Sequence, residues 1–507
     1  MGDIQIIGLS AGDPVPGLYT QIDFASGLAS AGSSNYSVCL IGNLLSTGSA
    51  QSDGYLYGPD TAIPMQSVND AITLFGQGSE LHRGVRDFLS INPSTSLYCS
   101  PVKESTGSKA SLVITILGTA TAAATLRVNT PDGPVDTGIV SGDTPTVIGA
   151  NVVTNVNAQA DLPFTVVNAS GVLTLTAKQK GLRGNWLQAS AVILSQGGVT
   201  TTVSPSVQTA FTGGTTADSN ANVLTFLSNS GHRFYYQTSA AEDATQLGAL
   251  VSQINNQAQP LVGIRQRAVA GSVDTLANVT TIATGINAVR GEIVWLQGSD
   301  KVPFELACQA TAAYSLFEQS LGAPHSVNFN GFGSDVDTQG FWNVKAPING
   351  ASPNRTTVKS ALLNGITPIG VAHGSTSIVR RVTTRTLNGS VNDYRAADSC
   401  IPTIMDHFAD DLDVQVASQM SGKVIGDDPV KGQLPPPVSV ITPRNLKAIA
   451  SALVDEYVAN GLLQKGDQTK STMIVQRNQS PSNRLSAQVA LYPVDILNQV
   501  ALDLQQV

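Results

Sequence analysis

The sequence predicts a multidomain chain that mixes α/β and α+β architecture. An α/β core is interrupted by an inserted all-β domain and followed by a C-terminal α+β domain, with an extended arm at each end. Three observations predict this. Strand-like and helix-like runs alternate over 30–108 and again over 215–379, the mark of a partly parallel sheet with crossover helices. Residues 109–214 are instead dense in Thr, Val, Ala and Gly, with short strand-like runs between turn residues, as in a small sandwich or barrel. Short alternating runs near both ends have no evident partner beside them.

In chain order, the arm at 1–29 carries Leu18, Thr20, Ile22 and Phe24 alternating with Tyr19, Gln21 and Asp23, the period-two pattern of a half-buried strand. The first part of the core reads as a buried strand at 36–41, helices at 70–75 and 81–89, and a strand at 98–102. The insertion offers strands at 111–116, 125–128, 164–167, 172–176 and 191–194, and closes at Gly213-Gly214. The core then resumes with strands at 233–236, 261–264 and 293–296. Helices fall at 243–256, through Leu247, Leu250, Val251 and Ile254, at 275–288 and at 303–321. The C-terminal domain, 380–485, holds two strong helices. One spans 402–420, with Ile404, Met405, Phe408, Leu412 and Val416 on one face. The other spans 442–463, with Thr442 as N-cap before Pro443. The second arm, 486–507, ends in Val500, Leu502 and Leu504 alternating with polar residues. A lone strand pairs with a sheet edge of its own chain or of a neighbour, so these arm residues are candidate subunit-interface positions.

Composition narrows the function classes. Of the 507 residues 42% are apolar, enough for several cores, but only 13% are charged, against roughly 25% in ordinary soluble proteins. A weakly charged surface suits a chain that covers itself with copies of itself, because fewer charges need desolvation. The net charge of −8 and the lack of any Lys/Arg run argue against nucleic-acid binding. The four cysteines, Cys39, Cys99, Cys308 and Cys400, are far apart and each has at least one apolar or aromatic neighbour, which predicts buried free thiols in a reducing compartment. The start shows no signal-peptide pattern. The most apolar stretch, 112–126, is short and threonine-rich, so neither secretion nor membrane insertion is expected.

Catalytic and ligand motifs fail one by one. Gly8-Leu9-Ser10-Ala11-Gly12 matches the nucleophile-elbow string, yet Pro14 and Pro16 follow where a helix is needed. Asp218-Ser219-Asn220 opens like a calcium loop, but Val223 stands in place of the turn glycine and Asn229 in place of the bidentate glutamate; a helix start after a linker is the better reading. No phosphate-binding glycine loop is present. His82, His232, His325, His373 and His407 stand at no metal-pair spacing. The expectation is therefore no catalytic residue, no cofactor and no metal. One charged pattern stands out. Asp406, Asp410 and Asp413 fall on one face of the 402–420 helix, at i, i+4 and i+7. This face is expected to point outward, toward water or a basic surface of an adjacent subunit. Reversing all three charges should then leave protomer stability nearly unchanged.

Several segments, taken in order, resemble one family. Pro16-Gly17-Leu18-Tyr19-Thr20-Gln21-Ile22-Asp23 resembles the opening motif of contractile bacteriophage tail sheath proteins of the Mu-like type, and the strand Val38-Cys39-Leu40-Ile41-Gly42 follows as it does there. The run from Leu175-Thr176-Ala177 to Gly184-Asn185 resembles a segment of that family's inserted β domain. Phe211-Thr212-Gly213-Gly214 resembles the exit from it, and Ser482-Asn483-Arg484-Leu485 the C-terminal arm. The resemblance implies a non-enzymatic virion subunit that assembles in the host cytoplasm. It would form stacked hexameric rings around an inner tail tube, with baseplate and tail terminator proteins as further partners. Terminal arms would lend strands to neighbouring subunits, and contraction would drive the tube through the host envelope. It also implies that Asp406, Asp410 and Asp413 face the tube or a neighbour. Two other classes fit parts of the composition: a polysaccharide-acting hydrolase with a β-sandwich module, and a self-assembling surface-layer protein.

Overall fold

The computed structural model describes Thr20 and residues 37–50, 62–195, 197–239, 244–321, 344, 346–347, 353–372, 375–430, 434, 436–480 and 482–494. The candidate arm residues Leu18, Tyr19, Ile22, Phe24, Val500, Leu502 and Leu504 lie outside them, as do the Gly8–Gly12 motif, His325 and His373.

The chain first lays down β1 (Ser37–Asn43), β2 (Ile63–Met65), α1 (Val68–Phe75), α2 (Glu80–Ile91) and β3 (Ser96–Val102). Side-chain caps start both helices: the hydroxyl of Ser67 accepts from Asp70 N–H, and that of Ser79 accepts from His82 N–H. After the insertion come α4 (Ala221–Asn229), β12 (Tyr236–Ser239), α5 (Ala244–Gln257), β13 (Arg267–Ser272), α6 (Leu276–Ile286), β14 (Gly291–Trp295), α7 (Pro303–Leu321), α8 (Arg355–Leu363), β15 (Thr367–Ala372) and β16 (Ser375–Ile378); β4 to β11 and α3 belong to the insertion and are ranged below. The eight strands of these two stretches join one sheet, in the order β16-β15-β14-β13-β12-β1-β3-β2. The six inner strands are parallel; β16 and β2 close the edges antiparallel.

Alternation along each strand splits the core. Val38 and Leu40 face one layer with Phe75, Val85, Phe88 and Phe304, whereas Cys39 and Ile41 face the other with Leu224, Leu250, Ile254 and Trp295. The result is a three-layer α/β/α unit. Helix α7 lies so close to β13 that a Cβ at Gly271 would sit 1.9 Å from the Pro303 carbonyl oxygen, so only glycine fits. All four cysteines are buried and none is in a disulfide.

The segment expected to be a strand at 261–264 is a turn. Val262 and Gly263 N–H both bond Gln259 O, Gly263 takes a positive φ of 72°, and β13 starts later, at Arg267. A short apolar run cannot by itself distinguish a strand from a turn; here Leu261 and Val262 stay exposed.

The insertion is a sandwich of two four-stranded antiparallel sheets. Its strands are β4 (Lys109–Leu117), β5 (Ala124–Thr130), β6 (Gly133–Ile139), β7 (Phe164–Ala169), β8 (Val172–Lys180), β9 (Gln188–Leu194), β10 (Thr202–Ser204) and β11 (Thr209–Ala210). They pair as β10-β4-β8-β7 and β11-β9-β5-β6. Ile114, Leu126, Leu173, Leu175 and the Phe164–Phe211 pair, 5.4 Å between centroids, fill the space between. The expectation of an all-β insertion needs correction, because it holds a helix, α3 (Pro145–Asn157). Thr144 caps it, Pro145 starts it, and Ile148, Val152 and Val156, one turn apart, bury against the sandwich.

The C-terminal region packs α9 (Cys400–Met420) on α10 (Pro443–Ala459). Ile404 and Phe408 meet Ala450, Leu453, Val454 and Tyr457, and Phe408 and Tyr457 stack edge-on at 5.3 Å. Thr442 and Asn445 form a capping box on α10. A two-stranded antiparallel hairpin, Ile474–Arg477 with Leu485–Gln488, follows. The seven-residue helix Gly466–Thr472 precedes it.

Candidate functional site at the domain seams

Because the six inner strands of the sheet are parallel, their amino ends line up along one edge and their carboxyl ends along the other. Each edge carries a charged seam. At the amino edge, Arg233 lies just before β12, Arg265 and Arg267 at the start of β13, and Arg290 just before β14. Helix α9 lies across them. Arg290 forks onto Asp406, with Nη2 donating to Oδ1 at 2.6 Å and Nη1 donating to Oδ2; Arg267 Nη2 is 3.8 Å away. Arg233 and Arg265 both reach Asp410 at 2.6 Å, and Arg265 also reaches Asp413 at 3.0 Å. The Thr20 hydroxyl donates to Asp413 at 2.5 Å.

The acidic stripe is thus turned inward within the protomer, against the expectation of an outward face. Asp406 is 1% exposed, and only Asp413 keeps an appreciable open edge, at 27%. Spacing put the three carboxylates on one helix face correctly; it could not show that both faces of α9 are buried, one on α10 and one on arginine. The signal that would have found the partners is the recurrence of arginine at the starts of three successive strands in a charge-poor sequence. Burial works to raise the Asp406 pKa, but Arg290, with Arg267 and Arg265, overcomes it and holds the carboxyl below its usual range. His407, next on the helix, shares a 2.9 Å hydrogen bond with the Tyr235 hydroxyl and stacks on that ring. Burial, aided by Arg233, lowers its pKa from 6.5 to about 3, so it is neutral.

Deeper in the sheet the same pattern continues. Arg381 Nη1 donates to Glu318 at 2.8 Å, Nη2 lies 3.3 Å from Glu292, and the guanidinium sits 3.5 Å over the Tyr314 ring. The hydroxyls of Tyr314 and Ser399 donate to Glu292, and the Tyr236 hydroxyl to Glu318. Among the described residues, five arginines (233, 265, 267, 290, 381) therefore face five carboxylates (292, 318, 406, 410, 413) in one region. Such pairs fix geometry more than they add net stability, since attraction is largely offset by desolvation. They tie α9, and with it the C-terminal region, to the core.

At the carboxyl edge the insertion docks. Arg83 of α2, 1% exposed, forks onto Asp132 in the turn between β5 and β6, at 2.6 and 3.2 Å, and also pairs with Glu305 of α7. Arg86 reaches the same Asp132 at 2.8 Å. Lys301, fully buried, lies 3.5–3.7 Å from Asp87, Asp132 and Glu305. From the insertion, Arg183 donates to Asn43 at the end of β1 at 2.9 Å, pairs with Glu80, and lies 3.3 Å from Asp218. Asp218 accepts from Ser105 N–H at 2.7 Å, and α4 starts three residues later, so this segment is the helix start expected and not a calcium loop.

Among the described residues no group of three or more His, Cys, Asp or Glu side chains is placed to hold a metal ion, and no helix is long and apolar enough to cross a membrane. What the two seams can do chemically is hold domains in register.

No family model matches the chain. Over 172 residues it is 31% identical to the Mu-like prophage FluMu tail sheath protein of Haemophilus influenzae, a match spanning 34% of this chain and 34% of that protein, about a third of each. Among solved structures it is similar to a sheath tail protein of Desulfitobacterium hafniense, at 13% identity over 96% of this chain and 97% of that one, with a TM-score of 0.46. A sheath tail protein of Listeria innocua gives 13% identity over 93% and 94% of the two chains, with a TM-score of 0.47. The 31% match agrees with the Mu-like tail sheath resemblance seen in the sequence motifs.

Proposed function

We propose that this chain is a structural subunit of a contractile phage tail sheath. The observation that carries the reading is the 172-residue match to a Mu-like tail sheath protein. In this reading the protomer polymerises as stacked hexameric rings around an inner tube, and the rings contract to drive the tube through the host envelope. Its partners are copies of itself, the tube, and the baseplate and terminator proteins. The protein belongs to the virion and assembles in the host cytoplasm. The arm residues Leu18, Tyr19, Ile22, Phe24, Val500, Leu502 and Leu504 pair with sheet edges of neighbouring subunits. Asp413, the open end of the acidic stripe, is the member of that stripe left to meet the tube or a neighbour.

Two features of the C-terminal region support polymerisation. The hairpin Ile474–Arg477 and Leu485–Gln488 has two strands among the described residues, a marginal unit on its own. Large apolar side chains also stand exposed there, including Val414, Val424, Val430, Leu434 at 90% and Val438 at 87%. The test is deletion of residues 500–507. The truncated protein should stay folded and soluble, with an unchanged circular dichroism melt, and sediment as small species where the full chain forms polymers. Loss of folding on truncation would place the terminal strand inside its own protomer and remove the strand-exchange part of the reading.

A further inference from the structure

We propose that the insertion is a hinged body held shut on the core by a charged latch centred on Asp132. The seam between them is strongly ionic. Apolar contact gathers at one cleft, where Pro163, Trp186 and Leu187 of the insertion face Val302, Pro303 and Phe304 of the core, together with Glu80, Arg83 and Arg183. Beside it, among the described residues, run the ion pairs. On the core side three cations, Arg83, Arg86 and Lys301, surround two carboxylates, Asp87 and Glu305; the third carboxylate, Asp132, is supplied by the insertion alone. The cluster is charge-balanced only when the insertion is seated.

Opening such a seam hydrates charges on both sides, so the desolvation lost on closing is recovered; an apolar seam of equal size would resist opening. The hinge is equally well defined. The chain enters and leaves the insertion side by side: Ser108 N–H donates to the Thr215 hydroxyl at 3.0 Å, and the Ser108 hydroxyl donates to Gly213 O at 2.6 Å. The two linkers approach so closely that a Cβ on Gly107 would lie 1.7 Å from Thr215 O. Two adjacent strands of linker permit rotation about their common line while keeping the sandwich intact. This device belongs to the protomer and does not depend on the sheath reading.

Hydrogen–deuterium exchange on the full chain tests it. Asp132→Asn should raise exchange at the first turns of α2 and α7 and in the linkers at 103–108 and 213–219 by about tenfold or more. Sandwich strand β8 and core strand β13 should stay as protected as in the wild type. Asp136→Asn, which breaks the exposed 2.7 Å Arg127–Asp136 pair farther along the same β5–β6 hairpin, should change nothing at the seam. Wild-type protein in molar salt should reproduce part of the Asp132→Asn effect, which keeps the test open if the variant folds poorly. Unchanged seam exchange in both Asp132→Asn and high salt, or equal loss of protection in β8, would overturn the latch and make the insertion one cooperative unit with the core.

Discussion

Asp406 sits on a helix whose every third or fourth residue is apolar, and in sequence it looks like part of a solvated stripe. Its surroundings reverse that reading. With Arg290 forked onto it and Arg267 beside it, replacing its charge strands guanidinium groups in the interior. Asp406→Asn should therefore destabilise the protomer by about 3–5 kcal/mol, read as a lowered urea midpoint. Lys at 406, 410 and 413 together should prevent folding, in contrast to the neutral outcome expected from an outward face. An unchanged midpoint in Asp406→Asn would show that the seam adds nothing to stability.

His407 and His82 give the pH dependence a sign. Burial is the main cause in both, lowering the pKa from 6.5 to about 3 and about 4 respectively. Each binds a proton more readily unfolded than folded, so their contribution is fully present above about pH 6.5 and is lost as pH falls through about 4 for His82 and about 3 for His407. Asp406, held low by Arg290 against its burial, loses its contribution at still lower pH. The groups facing His407 are Tyr235, Asp406, Arg233 and Arg267. The urea midpoint should drop steadily between about pH 6.5 and pH 4, and His407→Gln should flatten the slope. A midpoint constant over that window would contradict the buried, neutral state of both rings.

At the scale of elements, what was legible in the sequence followed from period and punctuation. Helices α7, α9 and α10 announce themselves by apolar spacing and by Thr442-Pro443 at the start of α10. Strand β1 does so as a continuous apolar run, buried on both faces. Helix α3 was hidden because Val and Thr favour strands, and its own repeat of Ile148, Val152 and Val156 sits in a segment rich in both. The run at 261–264 failed the other way, since three apolar residues around a glycine fit a turn as well as a strand. The seams were the least legible part, because they join residues far apart in sequence, such as Arg83 with Asp132 and Arg290 with Asp406. Helix α3 closes the sandwich with Ile148 wholly buried, so Ile148→Ala should cost about 2–5 kcal/mol. That loss should appear in the unfolding of the insertion, followed by exchange at β7 and β8, and leave β13 protected. Global unfolding of both regions together would contradict an insertion that is stable in its own right.

At the scale of the whole molecule, low charge content and ion pairs concentrated between domains are two sides of one arrangement. Much of the small supply of arginine and carboxylate is used between domains, which leaves the C-terminal surface with large exposed apolar residues. In the sheath reading, the core and C-terminal region would move as a unit between two packings while the insertion adjusts on its linkers. The most direct test of that account is electron microscopy of the purified full-length protein. The sheath reading predicts hollow tubes or stacked rings with sixfold symmetry, formed without added nucleotide. A field of monodisperse single particles at every concentration tried, with or without a tail-tube protein, would contradict it.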